Sequence, residues 1–158
     1  MSPAASSGRS ACGLDGSGAI NEDGAFRGRA VARVFVAADG SMILVGKNAE
    51  DNDVLTTKLA RPNDFWFHVA GHSGAHVVVR NPSNLKRLSR ETKIFAASLA
   101  AGYSTGSGGG RVAVHFARCS DVAKPRGMAP GKVTLRRYEV LQVKPHRGEV
   151  AGAADAED

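Results

Sequence analysis

Apolar and polar residues alternate along the chain between residues 31 and 46. Two runs rich in β-branched residues, VARVFV and MILVG, flank the pair Asp39-Gly40. An Asp-Gly pair between two such runs is a strong signal for a tight β-hairpin. The same alternation in FWFHV and AHVVVR predicts two further strands, over 65–69 and 75–80, around a connection that contains glycine.

Helical spacing of apolar residues predicts two helices. In the first, Asn48 is the candidate N-cap, acidic residues follow in the first turn, and Leu55 and Leu59 recur at helical spacing. In the second, an Asn-Pro pair breaks the preceding strand and offers Ser83 as the cap. This helix is predicted over 85–101, and the glycine that follows ends it.

The last third of the chain predicts two further strand regions and two loops. GYSTGSGGG is typical of a flexible loop, and RVAVHFARC has the period of a strand. KPRGMAPGKV predicts a basic loop punctuated by Pro and Gly, and KVTLRRYEVLQVKP predicts a closing strand or bent hairpin. The order ββ-α-ββ-α-β-loop-β predicts an α+β fold, a single domain with a largely antiparallel β-sheet packed by one or two helices.

The two ends of the chain have a different composition. Residues 1–28 are rich in Ser, Gly and Ala and show no hydrophobic periodicity, which predicts a disordered N-terminal arm. Residues 147–158 are mostly small and acidic, which predicts an acidic flexible tail. The folded domain is therefore expected over 29–146.

The charge is distributed unevenly. The whole chain carries a net charge of +6, yet residues 58–147 hold 16 Lys or Arg against 4 Asp or Glu, a net +12. Such an excess within one small domain predicts a polyanionic partner, with nucleic acid first. The plainer interpretation is charge that only keeps the protein soluble.

Cysteine usage and hydropathy set further limits. Cys12 and Cys119 are far apart and match neither a disulfide framework nor zinc-ligand spacing. No apolar run approaches the roughly 20 residues of a membrane span, and the N-terminus lacks the apolar core of a secretory signal. We therefore expect a cytoplasmic protein without a membrane partner.

The stretch NDFWFHVAGHSGAHVVVR, residues 63–80, contains the single Trp and three of the five His. His68, His72 and His76 would stack on one face of a helix, but the surrounding residues predict strands, so a metal site is not expected. Asp64 could orient His68 as a general base, but no nucleophile accompanies the pair. We expect no catalytic residues, no cofactor and no metal.

Strand periodicity assigns the rings of this stretch to one face. Trp66 and His68 point one way along the first strand, and His76 and Arg80 share a face of the second. Rings beside a guanidinium suit stacking on bases and contact with phosphate. The alternative is that Trp66 lies in the core and both His form hydrogen bonds inside the fold.

Two groups of cations are further candidates for contact with nucleic acid. The first is a stripe on the predicted second helix that consists of Lys86, Arg90 and Lys93, with Arg87 beside them. The alternative is that this stripe is only a solvated face of the helix. The second consists of Lys124, Arg126 and Lys132 on the basic loop. Such loops present cations and backbone N–H groups to phosphates.

The segment GKNAEDNDVLTTKLARPNDFWFHVAGHSGAHVVVR resembles the core of the NFACT-R domain, the RNA-binding module of the RqcH/NEMF ribosome quality-control factors. A later element, VAKPRGMAPG, and a closing Val-Lys-Pro at 143–145 are also similar to the family. The resemblance covers residues 31–145. The family helix ends in a basic segment where this chain has YSTGSGGG, so the resemblance implies no RNA contact there.

The resemblance implies a stand-alone RNA-binding domain that recognises structured RNA, either tRNA or rRNA, with the large ribosomal subunit as a further candidate partner. Asn48, Asn52, Asp53 and Asp64 are expected to fix loops and caps by hydrogen bonding. The alternatives are an accessory or catalytic subunit in tRNA modification and a protein-interaction module on the ribosome. DNA binding stays open as well, because phosphate contacts alone do not separate the two nucleic acids.

Overall fold

A computed structural model of the protein describes residues 25–104 and 110–147. The strands along these residues are β1 (Ala25–Phe26), β2 (Arg29–Ala30), β3 (Ala32–Val36), β4 (Met42–Gly46), β5 (Phe65–Val69), β6 (Val77–Val79), β7 (Val112–Arg118), β8 (Val122–Ala123), β9 (Thr134–Leu135) and β10 (Glu139–Val143). The helices are α1 (Ala49–Val54), continued by a π-helical turn (Leu55–Leu59), and α2 (Arg90–Gly102), with a short 3₁₀ turn at Cys119–Asp121.

Six strands form one antiparallel sheet in the order β10-β7-β5-β6-β4-β3. The remaining strands form two small ribbons, β1-β2 and β8-β9. The predicted α+β class, with a single largely antiparallel sheet, is confirmed. The closing segment is divided between β9, in a ribbon, and β10, at the edge of the main sheet.

The predicted hairpin is present between β3 and β4, and Gly40 adopts a φ of +89° in its turn. The Asp39 carboxylate accepts hydrogen bonds from the Ser41 backbone at 2.9 Å and from Thr92 Oγ1 at 2.8 Å. These bonds, the Ser41 backbone bond first, lower the pKa of Asp39. Because Thr92 lies in the first turn of α2, its hydrogen bond to Asp39 connects the hairpin turn to that helix.

Alternate residues of the central strands separate two apolar cores. On one face, Phe65, Phe67 and Val77 pack in the core that α2 covers. On the other, Trp66 and Val78 pack with apolar residues of the π-helical turn and of the β8-β9 ribbon. The predicted division of side chains between the faces is correct, but β5 and β6 are buried on both.

The second helix begins later than the sequence predicts. It starts at Arg90, and its N-cap is Ser89, not Ser83. The Asn81 side chain bonds the Leu85 backbone at both N–H and C=O, at 2.9 and 3.0 Å. Such side-chain bonds compete with helical hydrogen bonds, so the segment before Ser89 folds as a loop.

Parts of three predicted segments, 1–24, 105–109 and 148–158, lie outside the described residues. The described chain begins with β1, which falls inside the arm predicted over 1–28. Across the described ranges, no helix combines the length and apolarity needed to cross a membrane.

Candidate nucleic-acid interface

A cleft of about 260 Å³ opens where β4 ends and the connection between β5 and β6 turns. Its lining contains three cationic residues, Arg33, Lys47 and Lys132, and polar groups that include Asn48 and His68. Among the described residues that line it, none carries a carboxylate. We call this site the basic cleft, and its charge suits an anionic ligand.

The wall of the basic cleft is built by the chain from β4 into α1. Asn48 caps α1 through its side chain, as predicted. Asn52 donates to the Gly74 carbonyl at 3.1 Å and accepts from the His76 backbone N–H at 3.1 Å. A Cβ on Gly46 would lie 1.9 Å from Asn52 Oδ1, so only glycine lets the two segments approach this closely.

The opposite side is formed by the basic loop between β8 and β9. Asp53 accepts a hydrogen bond from the Gly131 backbone at 3.0 Å and pairs with Lys124 Nζ at 3.2 Å. Lys124 also donates to the Lys132 carbonyl at 2.8 Å and to a second loop carbonyl. Lys124, a predicted RNA contact, thus braces the loop with its side chain 19% exposed, whereas Arg126 and Lys132 are exposed.

A buried hydrogen-bond chain links this loop to the sheet. Trp66 Nε1 donates to Thr56 Oγ1 at 3.1 Å, Thr56 Oγ1 lies 2.7 Å from His76 Nδ1, and His76 Nε2 lies 3.0 Å from the Gly131 carbonyl. Burial lowers the pKa of His76 to about 4, so the ring is neutral at neutral pH. Because a carbonyl only accepts, Nε2 carries the proton and Nδ1 accepts from Thr56.

Trp66 and His76 were candidates for base stacking, with core packing as the alternative. They are 1% and 0% exposed, and their polar atoms are bonded within the fold, which agrees with the alternative. Neither ring reaches the surface in this conformation. Their contribution to any interface is to hold its shape.

His68, unlike His76, lines the basic cleft and stays partly exposed. Its ring centroid lies 5.2 Å from that of His76. Burial, followed by the nearby His76 and His115, lowers the pKa of His68 to about 4. A neutral imidazole offers one donor and one acceptor rather than a positive charge. Over residues 25–104 and 110–147, no cluster of three His, Cys, Asp or Glu is arranged to hold a metal ion.

Arg80 and Asp64 brace the far end of β5 and β6. Arg80 Nη1 donates to the Leu59 carbonyl at 2.8 Å and lies 3.5 Å from the Asp64 carboxylate. The Arg80 side chain is 14% exposed, and burial lowers its pKa. Asp64 accepts two backbone hydrogen bonds, at 2.8 and 2.9 Å, so its partners are these groups rather than His68.

The remaining predicted cations lie in a second region, near the start of α2. Lys86 and Arg90 are exposed, but Lys86 lies in the loop before the helix, so the predicted helical stripe does not form. Lys93 Nζ lies over the Phe116 ring, 4.9 Å from its centroid, and 4.0 Å from Glu139. The basic cleft lies at the C-terminal end of α2, where Tyr103 belongs to its lining. The two regions are therefore separated by the length of the helix, about 20 Å.

The sequence did not single out several cleft residues. Arg33 and Tyr103 both line the cleft, and the Arg33 guanidinium lies 4.9 Å from the centroid of the Tyr103 ring. Arg147, which is outside the lining, places its guanidinium 4.8 Å from the same centroid. Lys47 sits between the end of β4 and the cap of α1. Lys47 could have been identified as a cleft residue because it lies next to the predicted cap Asn48. The sequence gives no such signal for Tyr103, because it meets Arg33 only in the folded structure.

Comparison with known proteins identifies the domain. Residues 32–137 match the family model described as the NFACT protein RNA binding domain. The chain is 39% identical over 117 residues to the Rqc2 homolog RqcH of Streptococcus suis, which covers 73% of this chain and 21% of that protein. It is also 34% identical over 115 residues to the Rqc2 homolog RqcH of Bacillus subtilis, and this alignment covers 73% of this chain and 20% of that protein.

A solved structure shares the fold. The C-terminal part of the fibronectin/fibrinogen-binding protein from Streptococcus suis superposes with a TM-score of 0.71 at 35% identity, covering 81% of this chain and 51% of that one. The chain spans about a fifth of the length of the curated RqcH relatives it matches. On this evidence, and as its motifs predicted, the chain belongs to the NFACT RNA-binding domain family.

Proposed function

We propose that this domain binds structured RNA, either tRNA or rRNA, in ribosome-associated quality control, with the large ribosomal subunit as its site of action in the cytoplasm. The observation that carries the proposal is the basic cleft, whose described lining joins three cations with no carboxylate. Family membership supports RNA as the polyanion, and the RqcH relatives support the ribosomal setting.

In this proposal the cleft cations Arg33, Lys47 and Lys132 neutralise phosphates. Asn48 and the neutral His68 offer hydrogen bonds to sugar or base edges, which position the RNA without adding charge. The second region, formed by Lys86, Arg90 and Lys93, together with Arg126, is a further surface for phosphates. Trp66, His76, Arg80 and Lys124 act through the fold, since they are largely buried and bonded internally.

The test is the salt dependence of RNA binding, followed by fluorescence anisotropy with a labelled tRNA transcript. If about six phosphates are neutralised, the logarithm of the association constant should fall against the logarithm of salt concentration with a slope of about −4 to −5. The double variant Lys47→Ala/Lys132→Ala should weaken binding and make this slope shallower by about 1.4 to 1.8.

A matched control removes the same charge elsewhere. Lys86→Ala/Arg90→Ala deletes two exposed cations at the other end of α2. The proposal expects the cleft pair to have the larger effect on affinity and slope. A slope near zero for every RNA would refute RNA binding through phosphates, and a larger effect of the control pair would move the interface away from the cleft.

A further inference from the structure

One part of the main sheet is open to solvent on the face opposite α2. The π-helical turn and the β8-β9 ribbon pack over Trp66 and Val78 on that face. Further across, on β7 and the edge strand β10, the residues that the structure describes leave the same face open, and Tyr138 and Val140 are 49% and 52% exposed. Exposed apolar and aromatic side chains on an ordered sheet indicate a contact surface.

The strand register aligns the side chains of this surface. His68 on β5 lies opposite His115 on β7, and His115 lies opposite Val140 on β10. Tyr138 stands two residues before Val140 and shares its side of the sheet. The Tyr138 and His115 rings contact each other, with centroids 4.5 Å apart. We call the surface formed by His68, His115, Tyr138 and Val140 the ring platform.

The ring platform is continuous with the basic cleft. His68 lines the cleft and is the cross-strand neighbour of His115, so it belongs to both. The nearest acidic residue of β10, Glu139, alternates to the other side, where it lies 4.0 Å from Lys93. A cationic cleft therefore adjoins a row of neighbouring rings, a combination that favours nucleic acid over an acidic protein segment.

We propose that the ring platform stacks unpaired bases of an RNA whose phosphates lie in the basic cleft. This inference rests on the proposed function and adds to it a preference for RNA with unpaired nucleotides beside the phosphate contacts. From β5 to β10 the platform spans two interstrand spacings, about 10 Å, which gives room for a small number of bases. RNA-binding sheets in other folds stack two or three bases on such rings.

The test compares Tyr138→Ala with Tyr138→Phe, which keeps the ring and removes only the hydroxyl. The probe is a short unstructured oligoribonucleotide that carries a fluorescent purine analogue. Tyr138→Ala should bind it about 5- to 150-fold more weakly, the range for loss of one base–aromatic stack. Tyr138→Phe should remain within about twofold of the parent protein and should retain quenching of the analogue on binding.

A blunt RNA duplex of similar phosphate number separates this inference from the proposed function. Its affinity should be unchanged by Tyr138→Ala and should fall with Lys47→Ala/Lys132→Ala. If Tyr138→Ala leaves oligoribonucleotide affinity and quenching intact while the cleft variant still weakens duplex binding, the platform is wrong and phosphate binding stands. Because Tyr138 is half-exposed, its variants should keep the urea midpoint, and equal losses for Ala and Phe would also overturn the stacking role.

Discussion

Thr56→Val tests whether the buried hydrogen-bond chain holds the domain together. The hydroxyl of Thr56 accepts from Trp66 Nε1 at 3.1 Å and lies 2.7 Å from His76 Nδ1. Valine keeps the β-branched shape, so the substitution removes the two bonds with little change in volume. A buried polar group left without a partner costs about 1–3 kcal/mol. Because Thr56 is only half-buried, we expect the free energy of unfolding to fall by about 2–4 kcal/mol for the two groups together.

Trp66 is the single Trp of the chain and provides the assay, since its fluorescence reports on the site that is changed. With a urea dependence of about 2 kcal/mol per molar, in the middle of the range for small proteins, the unfolding midpoint should fall by about 1–2 M. Thr57→Val is the matched control, because Thr57 is exposed and its hydroxyl bonds only the Asp53 carbonyl, at 2.7 Å, among the contacts described. It should cost less than about 1 kcal/mol, and equal losses for the two variants would refute the role of the chain.

Two further predictions concern pH and a loop. Burial lowers the pKa of His76 from 6.5 to about 4, so between these values the unfolded chain binds more protons than the folded one. The free energy of unfolding should therefore fall on acidification from pH 7 to 4, by about 3 kcal/mol from this group, and a flat profile of urea midpoints would contradict it. Arg118 donates to the Leu85 carbonyl at 3.0 Å and to the Lys86 carbonyl, so Arg118→Ala should speed tryptic cleavage after Lys86 by about 10-fold, as measured by mass spectrometry. Unchanged cleavage would show that this loop is held by other contacts.

Elements set by local pattern were predictable from the sequence. The Asp39-Gly40 turn, the Asn48 cap and the strands at 65–69 and 77–79 follow from residue period and turn chemistry within a few positions of each other. The division of β5 and β6 between two faces also follows, because strand side chains alternate whatever the partner strand is. The order of elements then leaves few arrangements open.

Features decided by distant contacts were not predictable. The start of α2 depends on Asn81 and on Arg118, which bonds carbonyls 32 and 33 residues away. The internal bonding of His76 depends on Gly131, which lies 55 residues away, and Trp66 is buried by residues of the π-helical turn and the β8-β9 ribbon. α2 extends one residue beyond the prediction, through Gly102, and its C-cap is Tyr103. The glycine has a reason that the pattern lacks, since a Cβ there would lie 2.0 Å from the His146 carbonyl oxygen.

The motif that identifies the family contains two kinds of residue. Lys47, Asn48 and His68 line the basic cleft, and other polar residues of the motif hold the fold that carries the cleft. Asn52 donates to the Gly74 carbonyl and accepts from the His76 backbone N–H. Asp53 accepts from the Gly131 N–H and His76 donates to the Gly131 carbonyl, so these side chains fix two loops against the sheet. The cations of the basic cleft stand on those fixed loops and on the ends of strands. Because binding loses affinity when loops must be ordered first, a rigid frame lets a small number of cations act effectively. Substitution of Asn52, Asp53 or His76 should therefore alter RNA affinity in proportion to lost stability, whereas substitution of a cleft cation such as Lys47 should alter affinity and its salt dependence without changing the unfolding midpoint.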